Sequence, residues 1–178
     1  MFSRMKITLL IFILLPFFSS AQKFYLQAGA GYQFPSSSAN KGYAIELSSG
    51  IQLGSHFRLG IGSSYLEQDY NIGAAFVPVY VDLKLMGSGK FKPYVFFQPG
   101  FCIYKSNIFY DIDYNGNEIG YGYLKGSLCS DQGIGITYKY VFLQAGFRII
   151  SLVSTDPIDP LRVYGQYTFG ITAGIALP

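Results

Sequence analysis

Charge is scarce in this chain. Only 13% of its 178 residues are Asp, Glu, Lys or Arg, against about 25% in an ordinary soluble domain, and a water-facing surface is hard to build from so few. Long apolar runs are missing too. The one extended run, Ile7 to Phe18, falls short of the roughly 20 residues that a helix needs to cross a bilayer. Nothing after Phe18 comes closer, which excludes a helical membrane protein. Histidine occurs once, at His56, and no Ser/His arrangement, phosphate loop or metal-ligand cluster accompanies it. The expectation is therefore a protein without catalytic residues, metal or cofactor, and not an enzyme.

The head of the chain has the layout of a secretory signal peptide. Arg4 and Lys6 precede the apolar run, and Ser19-Ser20-Ala21 offers small residues at the cleavage positions. No Cys follows, so a lipoprotein-type signal is not indicated. Cleavage after Ala21 would leave 22–178 as one domain. With Arg4 and Lys6 removed, the 13 basic residues fall to 11 against 10 acidic ones, a balance that gives no reason to expect a nucleic-acid partner.

What the chain has in quantity is aromatic residue and glycine: 16 Tyr, 16 Phe and 21 Gly. These fall in a period of two. Phe24, Leu26, Ala28, Ala30, Tyr32 and Phe34 share one face of a strand near 24–34, and Tyr25, Gln27, Gly29, Gly31 and Gln33 share the other. The same alternation runs through segments near 43–53, 57–67, 76–86, 93–104, 127–138, 141–150 and 163–177. Each is close to the length that a tilted transmembrane strand requires. A backbone exposed to lipid must pair all its polar groups, so the strands are expected to close into an all-β, eight-stranded antiparallel up-and-down transmembrane barrel. Short joins at 54–56, 87–92 and 139–140 alternate with longer ones at 35–42, 68–75, 105–126 and 151–162. That alternation is the usual difference between periplasmic turns and external loops, and it puts both termini on the periplasmic side.

The pattern resembles the small outer-membrane β-barrel family, the OmpA/OmpX-type, porin-like barrels. The residues that carry the resemblance are Gln27-Ala28-Gly29-Ala30-Gly31-Tyr32, Val77-Pro78-Val79-Tyr80-Val81-Asp82-Leu83-Lys84 and Tyr167-Thr168-Phe169-Gly170-Ile171. It covers essentially all of 22–178. It implies the outer membrane of a Gram-negative bacterium as the location, the membrane's lipid and the barrel assembly machinery as partners, and a monomer. One departure is the C-terminus: members commonly end on an aromatic residue, whereas this chain ends Ala176-Leu177-Pro178.

The alternation turns six strand charges to the lumen: Glu46, Arg58, Asp82, Lys84, Asp131 and Arg148, three of each sign. A two-residue turn at 139–140 would set Asp131 opposite Arg148. Buried charges need partners, so the set reads as a polar core filling the barrel. The alternative is a narrow path for ions or small solutes lined by the same groups. Lumen-facing glycines (Gly29, Gly31, Gly50, Gly60, Gly62, Gly100, Gly133 and Gly135) leave room for either large neighbours or water.

The longest loop contains Asp111-Ile112-Asp113-Tyr114-Asn115-Gly116, whose spacing begins like a calcium loop. The twelfth position is Gly122 rather than a carboxylate, and Asn115-Gly116 reads better as a hairpin turn. That hairpin is the expected contact for a surface protein or glycan partner, through Phe109, Tyr110, Asp111, Asp113 and Tyr114, with Tyr121 and Tyr123 able to serve an interfacial girdle instead. A surface lipid-modifying enzyme is the remaining alternative. It would need more than His56 in a turn at the far end, and than Asp111 with Asp113 on a solvated hairpin. Counting outward from Asn115-Gly116 sets Cys102 against Cys129, a candidate disulfide. The pair would be of the hydrogen-bonded kind, whose Cβ atoms stand farther apart than the roughly 3.8 Å a disulfide prefers.

Overall fold

The computed structural model describes residues 23–35, 42–68, 74–105, 109–112, 118–122, 124–154 and 163–177. The segment 1–21, with its expected cleavage site, lies outside them. Eight strands close a barrel: β1 (Lys23–Pro35), β2 (Gly42–Leu53), β3 (Phe57–Gln68), β4 (Ala74–Met86), β5 (Phe91–Lys105), β8 (Leu124–Tyr138), β9 (Val141–Ser154) and β10 (Val163–Leu177). Every pair is antiparallel, and β10 returns to β1 to complete the ring. Between β5 and β8 the chain makes a separate two-stranded sheet, β6 (Phe109–Ile112) with β7 (Glu118–Gly122). Among the described residues there is no helix.

The period-two pattern becomes an inside and an outside. In β2 the residues from Gly42 to Glu46 alternate strictly between buried and exposed. Outward-facing aliphatic side chains lie bare at mid-barrel; Ile61 is 69% exposed and Ile134 66%. A monomer in water would not present such a surface continuously around its girth. Aromatic residues gather near its two edges, as they do where a barrel meets the lipid–water interface. Phe91 stacks on Tyr138 near the short turns, with ring centroids 4.6 Å apart. Tyr32 meets Tyr43 edge-on at 5.1 Å near the long loops.

Curvature comes from glycine at the lumen face. Gly29 pairs with Gly174, Gly50 with Gly60 and Gly133 with Gly146, each across neighbouring strands. A Cβ on Gly50 or Gly133 would collide with the facing strand's backbone. Such glycine pairs let the sheet turn sharply enough to close at eight strands. The 139–140 join is the two-residue turn expected, with Lys139 in the left-handed region at φ 52°, and it does set Asp131 opposite Arg148. Proline leaves one local mark. Pro78 has no N–H to give, the β3–β4 ladder is interrupted beside it, and Ser63 Oγ donates to the Pro78 carbonyl at 2.9 Å.

The register between β5 and β8 corrects the cysteine pairing. At the hairpin, Phe109 still faces Gly122, as a count from Asn115-Gly116 requires. Beyond that pair the count is lost before the barrel ladder begins, where Cys129 faces Gly100 rather than Cys102. Both cysteines are buried free thiols. The count failed because β5 and β8 are not one continuous hairpin: the β6–β7 sheet interrupts them, and the barrel ladder is offset by two residues. Thiol titration of the unreduced, denatured protein is expected to find two free thiols; finding none would restore the bridge.

Candidate functional site

Glu46, Arg58, Asp82, Lys84, Asp131 and Arg148 all lie inside the barrel, and all are buried. They form two groups. Around Asp82, on β4, three donors converge. Tyr25 Oη donates to Oδ2 at 2.9 Å, Gln98 Nε2 donates to Oδ1 at 2.8 Å, and the Lys84 ammonium stands 3.1 Å from Oδ2. Asp82 and Lys84 alternate along one strand and so face the same lumen. Lys84 also donates to Gln27 Oε1 at 2.7 Å, and its ammonium lies 5.6 Å from the Tyr94 ring centre. Asp82 is 0% and Lys84 1% exposed, so this pair has almost no water to screen it.

Arg148 on β9 organises the second group. Its Nη2 contacts Asp131 Oδ2 at 2.5 Å and Glu46 Oε1 at 3.5 Å. Glu46 accepts further bonds from Gln144 Nε2 at 2.8 Å and Thr172 Oγ1 at 3.2 Å, and Tyr94 Oη donates to Gln144 Oε1 at 3.0 Å. One cation thus serves two carboxylates, and neutral side chains supply the remaining hydrogen bonds. Every one of the three carboxylates is paired, while Arg148 Nη1, Gln98 Oε1, Tyr80 Oη and Ser64 Oγ are buried without a hydrogen-bond partner among the described residues.

Arg58 is the exception. Its Nε donates to Gln52 Oε1 at 3.1 Å and its guanidinium lies 5.0 Å from the Tyr25 ring centre, but among the described residues it makes no ion pair.

Large side chains take up the space that glycine leaves. Tyr80 covers Gly62, Tyr94 covers Gly135, and Phe96 reaches Gly146. Toward the long loops the polar network is capped by Ala44, Leu66, Phe76, Cys102, Cys129 and Ile150. On the short-turn side Met86, Tyr94 and Phe96 form a second apolar cluster. Between these levels, a void of about 10 Å³ is bounded by Glu46, Asp131, Gln144 and Thr172 among others, room for about one water molecule.

Sequence reasoning missed the neutral half of this network: Tyr25, Gln27, Tyr94, Gln98, Gln144 and Thr172. Its one signal was parity, since these residues share the strand face of the charges. Of the loop residues, Phe109, Tyr110 and Asp111 fall in β6, with Tyr110 paired to Tyr121, while Asp113 and Tyr114 lie outside the described residues. At the opposite end, the 54–56 turn brings Ser55 Oγ within 2.6 Å of His56 Nδ1. Both are exposed, and no carboxylate is bonded to His56 among the described residues. A serine–histidine contact without an orienting third group lacks the arrangement that activates a nucleophile.

No protein-family model matches the sequence, and no curated protein does. Solved structures do. The Neisserial surface protein A structure superposes with a TM-score of 0.56 at 16% identity, spanning 89% of this chain and 99% of that one. The N-terminal β-barrel domain of Pseudomonas aeruginosa OprF gives 0.52 at 14% identity, spanning 86% and 97%. The fold is that of the small outer-membrane β-barrels. At these identities it is the backbone architecture that is shared, so the lumen network must be understood from this chain's own residues.

Proposed function

We propose that the chain is an integral outer-membrane barrel with a closed lumen, exported through its segment 1–21, and that it acts as a structural or surface-interaction protein through its long loops, chiefly 105–126. The observation that carries this reading is the filling of the lumen. A path for ions would have to cross the apolar cap from Ala44 to Ile150, then the paired groups around Arg148 and Asp82, then Met86, Tyr94 and Phe96. Each layer would have to open, and the charged ones would have to exchange partners in a low-dielectric interior.

The β6–β7 sheet supports the loop assignment. It stands apart from the barrel as a two-stranded sheet, and strands with open edges favour pairing with a partner's backbone. The partner class that suits it is a surface protein or glycan. Catalysis has no comparable support, because the one serine–histidine contact sits at the short-turn end. The barrel is read as a monomer delivered by the assembly machinery, with outer-membrane lipid against its apolar belt.

Purified protein in planar bilayers is expected to be electrically silent, and to migrate more slowly on gels after boiling than before. Discrete conductance steps would overturn the closed lumen. Replacing Phe109–Gly122 with Gly-Asn-Gly is expected to leave silence and gel behaviour unchanged while removing adhesion of expressing cells to immobilised proteins or glycans. Adhesion that survives the replacement would overturn the loop's role.

A further inference from the structure

The lumen holds three acids and three bases, yet the pairing leaves one base over. Asp82 is taken by Lys84, and Asp131 and Glu46 share Arg148. Arg58 is therefore left without an ion pair among the described residues, although it is only 7% exposed. Across the β3–β4 register it faces Lys84, a second cation. Like charges set directly opposite repel, and a cation held largely out of water is disfavoured until an anion joins it. The short-turn mouth adds to the excess. A cavity of about 450 Å³ opens there, lined by Lys23, Arg58, Lys90, Lys92 and Lys139, with no acidic side chain among the described residues of its walls.

We infer that this mouth is a binding site for a phosphate-class anion, a group carrying at least two negative charges, with Arg58 as its fixed recognition element. The volume lies within the range of small-ligand sites. Arg58 is held ready: Gln52 fixes its Nε and the Tyr25 ring lies against the guanidinium, so little freedom is lost when an anion arrives. Its planar fork suits two phosphate oxygens. The lysines come from four separate places, namely β1, the 87–90 turn, β5 and the 139–140 turn, and so surround the mouth instead of lining one side. Gln52, Thr137 and Tyr138 add neutral hydrogen-bonding groups to the same wall. Such a site attracts its ligand from a distance and weakens as salt is raised. The anion could be carried by a lipid headgroup at the membrane edge or by a free phosphate compound.

Calorimetric titration of the full barrel in uncharged detergent with inorganic pyrophosphate tests this. Saturable binding is expected, weakened roughly tenfold or more by Arg58→Gln and similarly by the paired surface change Lys90→Gln with Lys92→Gln, which leaves the lumen untouched. Lys125→Gln, at the opposite end of β8, removes a charge without touching the cavity and should change nothing. Repeating the titration in phosphatidylcholine discs with and without phosphatidic acid, whose phosphomonoester can carry two negative charges, separates the sources. Loss of pyrophosphate binding with phosphatidic acid marks a headgroup site, and unchanged binding a site for free phosphates. No saturable binding in detergent or in phosphatidylcholine discs, or an equal loss in Lys125→Gln, would overturn the site. Heat-modified gel migration of each variant confirms that a lost signal is not a lost fold.

Discussion

Arg148→Met is expected to destabilise the folded barrel by about 3–5 kcal/mol, the usual consequence of taking one partner from a buried ion pair. Two carboxylates depend on this cation, Asp131 at 2.5 Å and Glu46 at 3.5 Å. After its removal Glu46 would keep bonds from Gln144 and Thr172, but neither brings positive charge. Urea unfolding in detergent micelles, followed by gel migration, measures the effect. Combining Arg148→Met with Asp131→Asn and Glu46→Gln should recover most of the loss, because neutral groups of similar shape remove the uncompensated charge. A cost below about 1 kcal/mol would mean that water screens the pair as it does on a surface. The lumen would then be wet, and the closed-barrel reading would fall with it.

Asp82→Ala is expected to be comparably severe, about 3–5 kcal/mol, for a different reason. It strands Lys84, which is 1% exposed, and removes the acceptor that Tyr25 and Gln98 share. Lys84→Met alone should cost less, since Asp82 would retain both neutral donors. The double variant Asp82→Ala with Lys84→Met should be more stable than the sum of the single effects predicts, by about 1–3 kcal/mol. Strict additivity would show that the 3.1 Å contact contributes nothing.

The strands were legible because each one separates two environments along its whole length. Lipid on one side and a packed lumen on the other impose a choice at every residue, and a period of two results. Legibility ends where the lipid does. The pattern reads β9 as stopping at 150 and β8 as starting at 127, yet the two continue pairing to Ser154 and Leu124. Backbone hydrogen bonds persist there, while nothing requires alternate residues to be apolar.

The six lumen charges were legible for the same reason, by parity. Their partners were not, because contacts such as Glu46 with Gln144 cross the barrel between strands far apart in sequence, and no local spacing encodes them. The balance of three acids and three bases concealed that one cation serves two acids and leaves Arg58 over. The cysteines show the opposite failure. A count extrapolated from one turn cannot survive an interruption between the strands it links, and the β6–β7 sheet supplies one.

The long sequence separations within the lumen network also bear on how the barrel is made. Tyr25 bonds to Asp82 and Lys84 to Gln27 across 57 residues, Gln144 to Glu46 across 98, and Thr172 to Glu46 across 126. Adjacent hairpins can form as the chain emerges, but ties that join β2 to β9 and β10 can form only when the last strand has reached the first. Until then Glu46, Asp82 and Lys84 keep their water, and contacts of such long range are made slowly. Closure is then the step at which the interior dries, so the charges act as a latch that engages once, on a ring already complete.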